Sequence, residues 1–275
     1  MKELNCKLIV SDFDGTLANS DNEVTEEVIS AINGYIADGG IFAVCSGRIL
    51  PSILPRVREM GLKGLVIACQ GSVIADIETG EIIRSVTFTA NQTAEICAVL
   101  ERLETNVQAY YIDGFYSDLP ADEKHLKLYE SIIGVNSDHV KEKLSTYAKR
   151  GEVTFNKVAT LCRPDEQEKL YSDLVKALGD KYDVTCSAKA LIEVSPYGET
   201  KGKALRFLSE YYGVPQNLTC AVGDNLNDLS MIEEAGYGVA VGNASNGLKA
   251  KAKYITVSCD ENAVARVIEE FGYKK

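Results

Sequence analysis

Short apolar runs alternate with helical patterns over the first 80 residues of the chain. Uninterrupted apolar stretches near residues 8–12, 41–45 and 65–69 predict buried strands. Between the first two, apolar side chains recur at helical spacing at Val28, Ile29, Ile32 and Ile36, and Thr25 is suited to cap that helix. Apolar strands separated by helices are typical of a parallel sheet that is covered on both faces.

The same alternation returns towards the C-terminal end. It predicts a helix over 203–212, strands near 218–222, 238–241 and 254–257, and a last helix over 261–271. Strands from both ends of the chain are therefore expected to form one α/β core.

Residues 85–190 have a different pattern. Alternating residues over 110–116, with Asp113-Gly114 between them, predict a β-hairpin. Helical patterns over 93–103 and 165–178, and strand patterns near 154–161, 183–187 and 191–194, complete an α+β insert. We predict a core of residues 1–84 and 191–275 and an inserted domain of residues 85–190. Such an insert can cover the strand ends, where open α/β sheets bind ligands.

Composition and charge exclude several classes of function. The chain has 275 residues, 45% of them hydrophobic and 25% charged, and no apolar run approaches the ~20 residues that a membrane helix needs. The net charge of −11 argues against a nucleic-acid surface, so any attraction for a phosphorylated substrate must be local. The first strand begins within a few residues of Met1 and leaves no room for a signal peptide. We therefore expect a cytoplasmic protein with neither nucleic acid nor membrane as a partner.

Cysteine and histidine usage excludes two further kinds of site. The eight cysteines include no Cys-x-x-Cys pair, and several lie inside apolar strand patterns, as Cys45, Cys69 and Cys220 do. Buried free thiols are the better interpretation than disulfides or zinc ligands. With only two histidines in the chain, a histidine-based triad or metal site is not expected.

The chemistry of the chain is concentrated where its first strand ends. Asp12 and Asp14 lie two residues apart in Asp12-Phe13-Asp14-Gly15-Thr16, so their side chains would point to the same side of the strand end. Two like charges at this distance are unfavourable unless a cation or a shared proton relieves them. The pair therefore predicts a metal site, a general acid, or both.

Three later segments give this pair a family context. They follow or precede predicted elements in a fixed order: Ser46-Gly47-Arg48, Lys201-Gly202, and Gly223-Asp224-Asn225-Leu226-Asn227-Asp228. Together with the first segment they resemble the four ordered motifs of the haloacid dehalogenase superfamily, and in detail its Cof-type branch (subclass IIB), mostly small-molecule phosphatases. The resemblance covers nearly the whole chain. It implies a Rossmann-like core with an inserted cap of the C2 type.

Roles follow from the chemistry together with this resemblance. Asp12 is expected to attack phosphorus and form an aspartyl-phosphate, and Asp14 to protonate the leaving oxygen and later activate water. Hard oxygen ligands favour Mg²⁺. The expected ligands are Asp12, Asp224 and, by resemblance, the backbone carbonyl of Asp14, with Asp228 bound directly or through water.

Phosphate binding is expected from a second set of residues. Ser46, Gly47, Lys201 and Asn227 would hold phosphate oxygens, and the backbone of Phe13 joins them by resemblance. Arg48 has two open interpretations, contact with substrate or a structural ion pair.

The chain departs from the family pattern at three positions, and two other functions stay open. Gln70 stands where the family often has asparagine, Val241 where methionine is usual and Ala263 where glycine is common; none of these removes a catalytic group.

The main hypothesis is a Mg²⁺-dependent phosphatase for a small phosphorylated metabolite such as a sugar phosphate. A phosphomutase would need phosphate-binding cations in the cap, for which the candidates are scattered: Lys157, Arg163 and Lys189. A non-catalytic phosphate-binding regulator is the third possibility. Tyr116, Lys157 and Lys189 are hypotheses for substrate choice, and the sequence predicts no oligomeric state.

Overall fold

The computed structural model describes residues 2–188 and 190–274, and only the backbone of Ala188. The strands of the described chain are β1 Leu8–Ser11, β2 Ile41–Val44, β3 Leu65–Ala68, β4 Val73–Asp76, β5 Ile82–Ser85, β6 Gln108–Tyr111, β7 Gly114–Ser117, β8 Lys157–Leu161, β9 Tyr182–Ala188, β10 Leu191–Pro196, β11 Thr219–Gly223, β12 Tyr237–Ala240 and β13 Tyr254–Ile255. The helices are α1 Glu26–Ala37, α2 Leu50–Glu59, α3 Ala90–Arg102, α4 Lys124–Ile133, α5 Leu144–Lys149, α6 Gln167–Leu178, α7 Lys201–Tyr211, α8 Leu229–Glu234, α9 Asn246–Lys249 and α10 Ala263–Val267.

A parallel sheet forms the core, in the order β13-β12-β11-β1-β2. β1, an inner strand of this sheet, is completely buried, as expected for a strand covered on both faces. An isolated parallel bridge between Cys45 and Ile67 joins β2 to β3, which continues into the antiparallel strands β4 and β5. The predicted α/β class, with a Rossmann-like parallel sheet flanked by helices, is confirmed.

The second sheet, called the cap sheet below, is antiparallel and has the order β7-β6-β8-β10-β9. The predicted hairpin is confirmed, since β6 and β7 pair across Ile112 and Asp113. One face of this sheet packs on α3 and α6 through an apolar cluster that includes Ile96, Leu174, Ile192 and Val194. The middle of the chain is therefore an α+β unit with its own apolar core.

The sheets place the second crossing between core and insert later than the sequence analysis did. The predicted boundary after residue 190 separates β9 from β10, but these strands pair along their whole length, and β10 also pairs with β8. Leu191–Pro196 therefore belongs to the cap sheet. The sequence analysis assigned the strand pattern over 191–194 to the insert but drew the boundary before it, because the pattern of a short apolar strand does not show where the chain crosses between two sheets. The division of the chain into two domains otherwise stays a prediction.

Cysteines and helix lengths agree with the sequence analysis. All eight cysteines are free, six of them buried, with Cys162 and Cys186 partly exposed. Among the described residues, no helix combines the length and the apolar character needed to cross a membrane.

Gly202 allows α7 to approach α8 closely. A Cβ atom at Gly202 would lie 2.4 Å from the carbonyl oxygen of Ser230, and the Gly202 N–H donates to the Ser230 hydroxyl at 3.0 Å. We expect Gly202→Ala to lower the free energy of unfolding by about 1–3 kcal/mol, because the backbone of α8 must move. Urea unfolding measures this change.

Gly34→Ala is the matched control for that experiment. Gly34 lies on the exposed side of α1 with nothing within 4 Å of a new Cβ atom. There the substitution should raise stability by about 0.5–1 kcal/mol. A Gly202→Ala protein as stable as the wild type would contradict the close packing of α7 on α8.

Candidate active site

The candidate active site lies at the carboxyl ends of three neighbouring strands. Asp12 directly follows β1, Ser46 lies two residues beyond β2, and Asp224 directly follows β11. Since β11, β1 and β2 are adjacent and parallel, their carboxyl ends meet at one edge of the sheet. The sheet order thus brings together residues that are far apart in sequence.

Lys201 connects two of the carboxylates. Its Nζ donates to Oδ1 of Asp12 at 2.5 Å and to Oδ1 of Asp228 at 2.6 Å, and the Lys201 and Asp228 side chains are fully buried. Lys201 is the first residue of α7, and the hydroxyl of Thr200 caps this helix by accepting from the N–H of Lys203. Burial alone would lower the pKa of Lys201, but the charges of Asp12 and Asp228 raise it well above its usual value. The ammonium group therefore stays charged at neutral pH.

Three carboxylates gather around this single ammonium group. Asp12, Asp224 and Asp228 each offer an oxygen, and these oxygens lie within 4.8 Å of one another. Burial and the charge of Asp228 raise the pKa of Asp12 well above its usual range, although Lys201 opposes this. The same causes raise the pKa of Asp224 to about 7. Hard oxygen donors with uncompensated negative charge fit a divalent cation such as Mg²⁺.

Asp228 is held more firmly than the other two carboxylates. Its Oδ2 accepts from the backbone N–H groups of Asp224 at 2.9 Å and Asn225 at 3.1 Å, while Oδ1 faces Lys201. Both oxygens therefore already have donors. Asp228 fixes the loop that carries Asp224 as well as the position of Lys201.

Asp14 lies apart from this cluster and pairs with Arg48. The guanidinium donates to both carboxylate oxygens, at 2.7 Å from Nη2 to Oδ1 and 2.9 Å from Nε to Oδ2. Of the two interpretations of Arg48, the structure contains the ion pair. Arg48 Nη1 also donates to the carbonyl of Ile132 in α4 at 3.3 Å, so one side chain joins Asp14 to the insert. The Asp14 side chain is 51% exposed. Its expected metal contact through the backbone carbonyl stays a prediction.

The expected phosphate-binding residues surround the same strand ends. Ser46 is buried, and its hydroxyl accepts from the N–H of Arg48 at 3.0 Å. Phe13 is buried between the two aspartates, with the Arg48 guanidinium 5.4 Å from its ring centre. Asn227 donates from Nδ2 to Oε1 of Gln70 at 3.2 Å.

Gln70 links the loop that carries Gly47 to the cap sheet. Cys69 and Gln70 both adopt positive φ, 50° and 58°, and the side chain of Gln70 comes so close to Gly47 that a Cβ atom there would lie 2.4 Å from Nε2. Gln70 Nε2 donates to Oε2 of Glu193 in β10 at 2.6 Å. A side chain at position 47 would therefore displace the amide of Gln70 from its place beside Gly47.

Glu193 is the residue that the sequence analysis missed. It pairs with Lys157, and the Lys157 Nζ also donates to the carbonyl of Gly47 at 2.9 Å. A lone charged residue within the apolar strand Leu191–Pro196 was the available signal.

The three residues proposed for substrate choice have different positions. Lys157 is buried and neutralised by Glu193. Tyr116 packs against Tyr111, Tyr147 and Phe155 inside the insert, and its hydroxyl bonds that of Tyr147. Lys189 lies outside the described residues.

Comparisons with known proteins agree with this geometry. The family model for haloacid dehalogenase-like hydrolases matches residues 9–268. The phosphatase YwpJ of Bacillus subtilis is 30% identical over 96% of this chain and 99% of its own length. The 5-amino-6-(5-phospho-D-ribitylamino)uracil phosphatase YwtE of the same organism is 28% identical over 96% of this chain and 97% of its own length. In fold, the chain is similar to BT4131, which is described as a sugar phosphatase of subclass IIB, with a TM-score of 0.82 and 22% sequence identity. The match covers 96% of this chain and 98% of BT4131.

The raised pKa of Asp224 predicts a pH-dependent affinity for the cation. The pKa of about 7 in the folded chain lies above the usual value near 4. Ionising Asp224 without a cation therefore lowers stability as the pH rises through this window. Because a cation needs the ionised carboxylate, added Mg²⁺ should raise the melting temperature more at about pH 8 than at about pH 5.5.

Thermal melts with Mg²⁺ and with EDTA at the two pH values measure this difference. Asp224→Asn, which carries no titrating group, is the control and should respond weakly to Mg²⁺ at both. An equal response of the wild type at the two pH values would contradict the assignment of Asp224 to the cation.

Proposed function

Because the chain belongs to the haloacid dehalogenase-like hydrolases, in their Cof-type branch (subclass IIB), and is a phosphoric monoester hydrolase, we propose that it is a Mg²⁺-dependent phosphatase of small phosphorylated metabolites, sugar phosphates above all. The observation that supports this most is the buried set of Asp12, Lys201, Asp224 and Asp228. It combines a nucleophile with a fixed positive charge and a place for a cation.

In the first step, the carboxylate of Asp12 attacks phosphorus. A bond forms between phosphorus and an oxygen of Asp12, and the bond to the leaving oxygen breaks. Lys201 holds Oδ1 of Asp12 in place, which leaves Oδ2 to react. Mg²⁺ bound by Asp12 and Asp224 would neutralise charge on the phosphoryl oxygens. Asp228 is assigned to contact the cation through water, since both its oxygens already accept hydrogen bonds.

Asp14 supplies and recovers the proton. As a carboxylic acid it protonates the leaving alkoxide, and as a carboxylate it then takes a proton from the water that attacks phosphorus. The second attack breaks the bond to Asp12 and releases inorganic phosphate. To reach the leaving oxygen, Asp14 must leave its ion pair with Arg48, and its exposure leaves room for this turn.

Phosphate oxygens are assigned to the groups around Asp12. These are the ammonium of Lys201, the hydroxyl of Ser46, the backbone of Phe13 and Gly47, and the amide of Asn227. In the structure, Asn227 donates to Gln70. Binding of phosphate would exchange that hydrogen bond for one to the ligand.

Neither alternative function has a specific observation in its favour. A mutase would need free cations in the insert, but Lys157 pairs with Glu193, and Arg163 pairs with Glu166 on the surface. A non-catalytic regulator would be suggested by a missing catalytic group, and all the expected groups are present.

Asp12→Asn tests the proposed nucleophile. Because an amide is a poor nucleophile and a poor metal ligand, we expect phosphate release to fall by at least about 10³-fold while the fold is kept. Release by the wild type should also stop with EDTA and return with Mg²⁺. Phosphate release from a panel of phosphorylated metabolites is the measurement. Asp38→Asn, a surface aspartate at the end of α1, is the matched control.

Two results would contradict the proposal. One is an Asp12→Asn protein with wild-type turnover. The other is release that EDTA leaves unchanged.

A further inference from the structure

One face of the cap sheet is polar and points towards the core. Along β10, Ile192 and Val194 join the apolar cluster of the insert, so Glu193 and Ser195 lie on the opposite face. Glu193 reaches Gln70 of the core, which fixes the direction of that face.

The neighbouring strand β9 contributes to the same face. Thr185 lies opposite Glu193 in the antiparallel register, and Asp183 lies opposite Ser195. Residues directly opposite each other share a face. Hydroxyl and carboxylate groups from two strands therefore point together towards the strand ends of the core.

A cavity of 260 Å³ separates this face from the core. Asp183, Thr185 and Ser195 line it on the cap side, and Gln70, Lys201 and Asn227 line it on the core side. Since Lys201 contacts Asp12 and Asn227 is assigned to phosphate, the cavity adjoins the place where the phosphoryl group would react. A leaving group attached to that phosphoryl group has this space beside it.

Three polar atoms around the cavity lack partners. Within the described parts of the chain, the hydroxyl oxygens of Thr185 and Ser195 and Oδ1 of Asn227 are buried and accept or donate no hydrogen bond. Ser195 is only 2% exposed. Buried polar atoms in proteins are nearly always paired, so three such atoms at one cavity indicate a ligand that pairs with them.

The charges around the cavity disfavour a second anionic group. Its described lining contains the acids Asp183 and Glu233, and also Glu199, which is already paired with Arg84 and Lys203. Lys201 is the cation of this lining, and Asp12 and Asp228 already share it. Lys157 nearby is neutralised by Glu193. A second phosphate or a carboxylate would enter a region without a free positive charge.

We propose, on the basis of the proposed function, that this cavity receives the leaving group of the substrate. That leaving group is an uncharged polyol or sugar, and the substrate carries a single phosphate. Ser195 and Thr185 recognise its hydroxyl groups through their own hydroxyls, and Oδ1 of Asn227 accepts from another. Ser195 and Thr185 are thereby specificity-determining residues.

Ser195→Ala and Thr185→Val test this assignment. The substrates are ribitol 5-phosphate and glucose 6-phosphate, with p-nitrophenyl phosphate as a substrate whose leaving group has no hydroxyl to recognise. For the better polyol or sugar phosphate, we expect kcat/KM to fall roughly 3- to 10-fold in each variant, as for the loss of one hydrogen bond. Turnover of p-nitrophenyl phosphate should stay within about twofold of wild type.

Thr256→Val is the matched control. Its hydroxyl is also buried without a partner in the described structure, but Thr256 does not line the cavity. Its kcat/KM should equal that of wild type for all these substrates. An equal loss for p-nitrophenyl phosphate and sugar phosphates in the cavity variants would overturn the recognition role.

Two further comparisons complete the test. Glucose 1,6-bisphosphate should be hydrolysed with at least about tenfold lower kcat/KM than glucose 6-phosphate, because the cavity offers no free cation. A preference for the bisphosphate would overturn the inference and leave the phosphatase in place. Wild-type protein that hydrolyses none of these esters, p-nitrophenyl phosphate included, would overturn the proposed function and the inference together.

Calorimetry in the Asp12→Asn background gives a readout independent of turnover. Adding Ser195→Ala there should weaken binding of ribitol 5-phosphate roughly 3- to 10-fold and leave binding of inorganic phosphate unchanged. Equal weakening for both ligands would show a structural effect and overturn the inference.

Discussion

The buried ammonium of Lys201 between Asp12 and Asp228 is the interaction on which the site depends. Three carboxylates lie close together in a space with little water, and this arrangement is unfavourable without a fixed positive charge. Lys201 offsets part of that charge, and the part left over is suited to a divalent cation. Because Asp12 follows β1 while Lys201 begins α7, the same interaction also ties the two ends of the chain into one core.

Much of the core and its motif residues could be predicted because both depend on local patterns. Buried parallel strands appear as short apolar runs, and the sheet places polar residues that follow adjacent strands at one edge. Asp12, Asp224 and Asp228 lie in segments that follow such strands, whereas Lys201, which begins α7, was identified by the resemblance of its segment to a family motif. The role of Arg48 could not be decided, because its ion pair with Asp14 depends on where two loops meet in space.

The contacts between core and insert were the part that the sequence could not show. Lys157 was considered as a free cation for substrate, whereas Glu193 neutralises it and was not considered at all. A strand pattern gives the face on which a residue lies, but not what the opposite surface carries. The same lack of long-range information put the boundary before β10. Gln70, noticed only as a departure from the family, proved to be the residue that joins Gly47, Asn227 and Glu193.

The central claim of this account is that the Asp12 carboxylate becomes phosphorylated during turnover, and chemical trapping tests it most directly. Wild-type protein would be mixed with a sugar phosphate and Mg²⁺, quenched within one turnover, treated with borohydride and mapped by peptide mass spectrometry. An acyl phosphate is reduced by this treatment, so the account predicts conversion of residue 12 alone to homoserine, with Asp14, Asp224 and Asp228 unchanged. Reduction at another aspartate, or none in protein that is turning over at a rate that the quench resolves, would contradict the assignment of Asp12 as the nucleophile.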